Sequence, residues 1–128
     1  MTDEQLSQQI VRVCDALSAL RTPATPGEYD IHGQVAAALA DAGLEYAHEY
    51  RLAPRCRIDF AVGRVGIEVK KGRPVVSELL RQLRRYLASD ELDAVVVVMQ
   101  RAAPLPEVIG GKPVRVISLN RLWGVALP

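Results

Sequence analysis

Apolar and polar residues alternate along two short runs in the middle of the chain, which is the pattern of β-strands. One face receives Cys56, Ile58, Phe60, Val65, Ile67 and Val69, and the other receives Arg57, Asp59, Ala61, Gly66, Glu68 and Lys70. Gly63 and Arg64 stand between the runs and favour a tight turn. We therefore expect residues 57–71 to form a β-hairpin that carries two acids and a lysine on one side.

Three other segments place apolar residues at helical spacing. Residues 3–20 do so with Leu6, Ile10, Val13, Leu17 and Leu20, and residues 74–89 with Val75, Val76, Leu79, Leu83 and Leu87. Between them, a helix is expected to start after Thr25, with Pro26 in its first turn and Glu28 closing a capping box. This helix is expected to end at Gly43.

Further strands are predicted on both sides of the hairpin. Residues 45–52 read as a strand with Tyr46, His48 and Tyr50 on one face. The unbroken apolar run in residues 94–100 predicts a strand buried on both faces, and residues 114–119 predict the last strand. The resulting order of elements predicts an α/β fold with a central mixed β-sheet flanked by helices.

A chain of 128 residues with 49% hydrophobic residues is expected to fold as one domain around one core. We expect residues 1–22 to form an accessory helix, residues 26–119 the core, and residues 120–128 a tail in which Trp123 packs on the core or on a second subunit. The start of the chain is polar and acidic, the longest apolar run is too short to cross a bilayer, and the two cysteines suit no zinc site. These features predict a cytoplasmic protein that makes no membrane contact.

The formal net charge of +1 gives no overall attraction to nucleic acid, but the cations are unevenly distributed. They cluster around the hairpin and along the helix that follows it, at Arg51, Arg55, Arg57, Arg64, Lys70, Lys71, Arg73, Arg81, Arg84 and Arg85. Such clustering favours a phosphate-binding surface, and we expect Arg57, Lys71, Arg73, Arg81, Arg84 and Arg85 to contribute to it. A solvated face of arginines is the simpler alternative.

Asp59, Glu68 and Lys70 are the residues on which a chemical function would depend. Two carboxylates side by side repel each other unless a cation lies between them, and Mg²⁺ binds through one or two carboxylates with waters and phosphate oxygens. A lysine on the same face would reach a phosphoryl oxygen or a bound water. The alternative is an exposed ion pair of little energetic value, although these charges are embedded in apolar strands, where charges are costly.

The order Asp59, then Glu68-Val69-Lys70 on a hairpin, resembles the motif of the PD-(D/E)XK nuclease superfamily. Ile58 stands where the family motif has proline, a departure that the superfamily commonly tolerates. The resemblance implies that Asp59 and Glu68 hold a metal ion, that the backbone carbonyl of Val69 adds a ligand, and that Lys70 orients the attacking water.

The helix after the hairpin carries Gln82 and Tyr86 four residues apart. A Gln-x-x-x-Tyr helix in this place is similar to the RecB-like and Holliday-junction-resolvase-like branch of the superfamily, where these residues shape the catalytic groove. The same resemblance implies that Glu28 supports the metal, directly or through water, although Glu28 alternatively serves only the helix cap. His32, one turn after Glu28, and Glu49, beside the Asp59 strand, are further possible site residues.

The resemblance implies a restriction-endonuclease-like αβββαβ core over residues 26–119 and a small phage- or prophage-type standalone nuclease. It further implies a deoxyribonuclease that needs Mg²⁺ or Mn²⁺, has little sequence specificity and leaves 5′-phosphates. Since such a small chain has one site, cutting both strands of DNA would require a homodimer. Two alternatives stay open: a catalytically silent nucleic-acid-binding or assembly module, and a small-molecule or tRNA-processing enzyme on the same fold.

Overall fold

A computed structural model describes residues 1–20 and 28–122 of the chain. The elements in order are α1 (Asp3–Leu17), α2 (Glu28–Asp41), β1 (Ala47–Ala53), β2 (Cys56–Val62), β3 (Val65–Lys70), α3 (Val76–Leu87), β4 (Ala94–Met99), β5 (Val108–Ile109), β6 (Lys112–Ser118) and α4 (Leu119–Leu122). The predicted capping residues Thr25 and Pro26, the side chain of Glu28, and Trp123 lie outside this description. Within the described ranges no helix is both long and apolar enough to cross a membrane.

The strands form one six-stranded mixed sheet in the order β1-β2-β3-β4-β6-β5, which confirms the predicted α/β class. β1, β2 and β3 are antiparallel neighbours, whereas β4 runs parallel to both β3 and β6. The parallel pairing of β3 and β4 follows from their connection, because α3 carries the chain back across the sheet between them. β4 lies in the middle of the sheet, and all six of its residues are buried, as its unbroken apolar run predicts.

Helices cover both faces of the sheet and enclose two apolar layers. On the first face, α1 and α2 pack against the sheet. The helices contribute Ile10, Val13, Leu17, Ile31, Val35 and Leu39, and the sheet contributes Phe60, Ile67 and Val69. On the second face, α3 packs through Leu79, Leu83, Tyr86 and Leu87 against Ile58, Val95, Val97 and Met99. We call these the α1/α2 side and the α3 side.

The first helix packs into the first apolar layer. Thr2 Oγ1 accepts the Gln5 N–H at 3.1 Å and Gln5 Oε1 accepts the Thr2 N–H at 2.9 Å, so a capping box fixes the start of α1. Val13 and Leu17 are completely buried in the layer that α2 shares. The helix ends at Leu17, earlier than predicted, and Leu20 is still buried beyond it.

The alternation predicted for β1 and β2 is wrong at one place, because both strands change face there. Ile58 packs on the α3 side but Phe60, two residues later, packs on the α1/α2 side. Likewise His48 stacks on Phe60, whereas Tyr50 packs on the α3 side. The residue between them, Glu49, has a positive φ of 53°, a conformation that breaks the regular pleat.

Smaller differences concern the ends of elements. α3 begins at Val76 rather than at residue 74, and Val75, predicted in its buried stripe, is 59% exposed as the N-cap residue. The loop expected before the last strand contains the two-residue strand β5, which forms a hairpin with β6. Gly110 and Gly111, both with positive φ, make the turn of this hairpin.

Candidate functional site

The hairpin of β2 and β3 opens at the point where its two acids lie. Its ladder pairs Val62 with Val65, Ala61 with Gly66, and Phe60 with Ile67, and no further pair follows. Asp59 and Glu68 stand immediately beyond the last pair, where β2 also changes face. The gap between the strands therefore begins at the two carboxylates.

Each carboxylate binds a backbone N–H of the opposite strand across this gap. Asp59 Oδ2 accepts the N–H of Val69 at 2.8 Å, and Glu68 Oε1 accepts the N–H of Asp59 at 3.3 Å. These two hydrogen bonds take the place of the strand ladder. They hold both carboxylates in the gap. Beyond the last ladder pair, the two strands are thus joined by bonds between carboxylates and backbone N–H groups.

Glu68 is the only buried charged residue among the described positions, with a relative exposure of 3%. Its Oε2 lies 3.2 Å from Lys70 Nζ and accepts a hydrogen bond of 3.1 Å from the hydroxyl of Tyr86. Burial, reinforced by the nearby charge of Asp59, raises the pKa of Glu68 to about 7, although Lys70 acts in the opposite direction. The ammonium group of Lys70 thus compensates only part of the cost of a buried carboxylate.

Tyr86 approaches Glu68 from the α3 side. Helical periodicity puts it in the buried stripe of α3 with Leu79 and Leu83, and its hydroxyl is also within 3.1 Å of the carbonyl oxygen of Arg57. Burial and the neighbouring Glu68 raise the pKa of the Tyr86 phenol, so the hydroxyl stays protonated and acts as a donor. Tyr86 therefore anchors Glu68 to the helix.

Asp59 faces the side of the sheet opposite to Glu68 and Lys70, so the expectation that the two acids and the lysine share one side of the hairpin is wrong. The physical reason is the change of face in β2 between Ile58 and Phe60. His32 Nε2 lies 3.6 Å from Asp59 Oδ2, and the Nδ1 atom of His32 lies 3.1 Å from His48 Nε2. His32 comes from α2 and His48 from β1. The site therefore brings together side chains from five elements: α2, β1, β2, β3 and α3.

Gln82 lines a surface recess of about 500 Å³. The cations that share this recess with it are Lys70, Lys71, Arg81 and Arg85. Arg84 lines the adjoining recess on α3 together with Arg81 and Arg85. The structure thus places these α3 residues on a surface that begins at Lys70.

Arg55, which we did not predict as a site residue, connects this surface to the turn between β1 and β2. The Arg85 guanidinium donates through Nη2 to the Arg55 carbonyl oxygen at 2.9 Å. A shallow recess beside it is lined by Arg51, Arg55, Cys56 and Arg57. The clustering of arginines in the sequence was the signal that included Arg55, but only the fold brings Arg55 next to α3.

Glu49, Arg73 and Glu28 are the remaining sequence-predicted residues. The register of β1 and β2 puts the backbone of Glu49 opposite Asp59. Glu49 is exposed, and the contact that the structure gives it is with Arg57, at 3.6 Å between Oε2 and Nη1. Arg73 is exposed in the loop before α3. The Glu28 side chain is not described, so its expected support of a metal stays a prediction.

A divalent cation suits the donor chemistry of the gap. Asp59 and Glu68 provide hard carboxylate oxygens, and two carboxylates are enough for Mg²⁺ when waters and substrate phosphate complete its coordination. A cation would also offset the repulsion that disfavours the Glu68 charge. Among the side chains that the structure describes, those of residues 1–20 and 31–120, however, no group of three or more His, Cys, Asp or Glu side chains could hold a metal ion by itself.

Comparison with known proteins gives the chain no relatives: no family model, no curated protein and no solved structure matches it. The geometry of the site must therefore support any functional assignment.

Proposed function

We propose that the protein is a metal-dependent DNA nuclease with the restriction-endonuclease-like core of the PD-(D/E)XK superfamily. The observation that carries the proposal is the buried carboxylate of Glu68, held beside Asp59 and Lys70 in a gap of the sheet. A carboxylate with a relative exposure of 3% and a pKa raised to about 7 is poorly suited to stability alone. Strongly shifted pKa values of this kind are typical of functional sites.

The order of elements supports the same proposal. The chain forms a helix (α2), a meander of three strands (β1, β2 and β3), a crossover helix (α3) and a parallel strand (β4), in this order. This is the order expected for an αβββαβ core, with β5, β6 and α1 as additions. Asp59 and Glu68 lie on β2 and β3, the two strands of this order on which the resemblance expects the acids of the motif.

In this mechanism, Asp59, Glu68 and the Val69 carbonyl would hold Mg²⁺ or Mn²⁺, with Glu28 in the outer shell. The ion, when bound, supplies the Lewis acidity that activates water and offsets charge on the phosphate. Lys70 positions the attacking water or stabilises the negative charge that develops on the phosphoryl oxygens. Tyr86 donates to Glu68 and fixes the orientation of its carboxylate.

The proposed substrate lies against the α3 side of the hairpin. Lys70, Lys71 and Arg81 line one recess, and the exposed arginines of α3 and of the turn between β1 and β2 extend from it. These cations would bind phosphates, which gives affinity without reading the base sequence. We propose DNA as the partner and, for cleavage of both strands, a homodimer.

The decisive experiment incubates the protein with labelled linear duplex, single-stranded, flap and four-way-junction DNA in Mg²⁺, Mn²⁺ or EDTA. We expect cleavage of at least one substrate with either metal and none in EDTA. Asp59→Asn, Glu68→Gln and Lys70→Ala should each lower the rate by about 10²- to 10⁴-fold, the usual contribution of positioned catalytic groups. Glu45→Gln, which removes an exposed carboxylate ahead of β1, should cleave like the parent protein.

Each other outcome has a distinct meaning. Cleavage in EDTA would disprove the metal-dependent mechanism, and a parental rate in Glu68→Gln would disprove the site. Binding of DNA without cleavage in either metal would instead favour the catalytically silent module.

A further inference from the structure

A row of three side chains joins the surface of the sheet to Asp59. His48, exposed on the edge strand β1, lies with its Nε2 atom 3.1 Å from Nδ1 of His32. His32 in turn places Nε2 3.6 Å from Asp59 Oδ2. The last atom of the row is the same carboxylate oxygen that accepts the N–H of Val69.

The acceptor at the end of this row decides which nitrogen carries each proton. An ionised carboxylate only accepts hydrogen bonds, so the His32 nitrogen that faces Asp59 is the one expected to bear hydrogen. In a neutral imidazole the other nitrogen, Nδ1, is then an acceptor. His48 must therefore donate from Nε2, and this donor supports the same tautomer of His32 that the Asp59 carboxylate favours.

Phe60 holds the two imidazole rings in this arrangement. The ring of His48 stacks on Phe60 with centroids 4.6 Å apart and planes inclined by 19°. The ring of His32 packs on the same phenyl group at 5.5 Å. Phe60 is completely buried, so it provides a fixed base for both histidines.

We propose that His48 is a positioning residue of the site, acting through His32 on the Asp59 carboxylate. The proposal rests on the proposed nuclease function and deepens it, because it adds a residue of β1 that the motif does not contain. By fixing the tautomer and ring orientation of His32, His48 restrains Asp59 Oδ2. The Asp59 carboxylate then keeps one orientation toward a bound cation.

Residues that orient a metal ligand without contacting the metal typically change metal affinity or activity by 10- to 100-fold when they are removed. His48→Ala is therefore expected to lower the single-turnover cleavage rate and the affinity for Mn²⁺ by about 10-fold, with little change in DNA affinity. The side-chain amide of glutamine can donate to His32 Nδ1, so His48→Gln should restore most of the cleavage rate and most of the Mn²⁺ affinity.

Tyr46→Ala is the matched control. Tyr46 also packs edge-on against Phe60, with ring centroids 5.8 Å apart, and it is 38% exposed. Its replacement removes an aromatic contact of the same strand region without removing a donor to His32. We expect Tyr46→Ala to cleave DNA and bind Mn²⁺ like the parent protein.

Three measurements test the proposal: single-turnover rates, calorimetric titration with Mn²⁺ alone, and ¹⁵N NMR of the histidine rings. The NMR spectrum should show His32 protonated at Nε2 in the parent and in His48→Gln, and a mixture of tautomers in His48→Ala. Thermal unfolding of each variant verifies that the fold is kept.

The outcomes separate this proposal from the nuclease function itself. If the parent protein cleaves no DNA with metal, the proposed function fails and the role of His48 fails with it. If the parent cleaves and binds Mn²⁺ but His48→Ala matches it in rate, Mn²⁺ affinity and tautomer, only the role of His48 is overturned. A loss in His48→Ala that Tyr46→Ala reproduces equally would also overturn it.

Discussion

Glu68 holds its carboxylate in surroundings that disfavour the charge. It is buried, Asp59 lies beside it, and the nearby ammonium group of Lys70 only partly compensates. At the scale of single residues, this is the feature that separates the site from an ordinary surface ion pair. It also makes the stability of the metal-free protein depend on pH.

The pKa of Glu68 is raised in the folded protein from 4.5 to about 7, so the folded state binds more protons than the unfolded state between these values. The proton on Glu68 stabilises the folded state fully below pH 4.5, and this stabilisation is lost as the pH rises through about 7. Glu68→Gln, which mimics the protonated form, should therefore be more stable than the parent at pH 8 in EDTA, by on the order of 2 kcal/mol. Thermal unfolding from pH 4.5 to pH 8 measures this difference.

Near pH 4.5 the two proteins should unfold at the same temperature. Mg²⁺ should raise the unfolding temperature of the parent at pH 8 more than that of Glu68→Gln, since a ligand stabilises the state that binds it. A parent more stable than Glu68→Gln at pH 8 in EDTA would contradict the unfavourable burial of this charge.

The acids and the lysine of the gap could be found in the sequence, because charges inside apolar strands stand out. His48 could not be assigned a role in this way. Its partner His32 lies on another element, and only the change of face between His48 and Tyr50 brings the two imidazoles together.

Close packing of the hairpin against its neighbours requires glycine at position 66. A Cβ atom there would lie 2.9 Å from Leu92 Cδ1 and still closer to Ile58 Cδ1, and both of these side chains are completely buried. Gly66→Ala should therefore destabilise the protein by about 1–3 kcal/mol through overpacking, as measured by urea unfolding.

Gly33→Ala gives the matched comparison within α2. Apart from the backbone of the helix itself and the two chain neighbours, no described atom lies within 4 Å of the position that its Cβ would take. Alanine favours helix over glycine by about 1 kcal/mol. This variant should gain stability of that order. Equal effects of the two substitutions would show that packing around Gly66 is looser than described.

The helices and central strands were predictable because their periodicity extends over many residues, as in α3 and β4. Local exceptions to this periodicity could not be predicted from the sequence. The positive φ of Glu49 and the opening of the hairpin at Asp59 break a regular alternation. Sequence alternation alone therefore assigns Cys56 and Ile58 to the side of Phe60, whereas they pack on the α3 side. The strand β5 is too short to leave a periodic signal.

On the scale of the whole molecule, a formal net charge of +1 hides a cationic surface. The fold gathers Lys70, Lys71, Arg81, Arg84 and Arg85 around α3, and Arg85 reaches the carbonyl oxygen of Arg55 in the turn between β1 and β2. Contacts to DNA phosphates release counterions, so affinity is expected to fall steeply with salt even though the protein is nearly neutral overall.

Arg81→Ala should weaken the binding of duplex DNA in EDTA and lower the slope of log K against log salt by about 1, because one phosphate contact is lost. Arg12→Ala makes the same change in net charge on α1, in a recess between α1 and α2. Fluorescence anisotropy over a range of salt concentrations compares the two. If Arg12→Ala lowers the slope as much as Arg81→Ala, the α3 surface is not the binding site.

The sequence by itself determined the α/β class, the identity of the buried strand β4 and the proximity of Asp59, Glu68 and Lys70 on one hairpin, because these depend on periodicity and on short separations along the chain. Only the tertiary structure decided that the hairpin opens at the two acids, that Tyr86 and His32 approach them from opposite sides, and that His48 reaches His32. Those contacts join residues far apart in sequence, and their geometry depends on how helices pack on the two faces of one sheet.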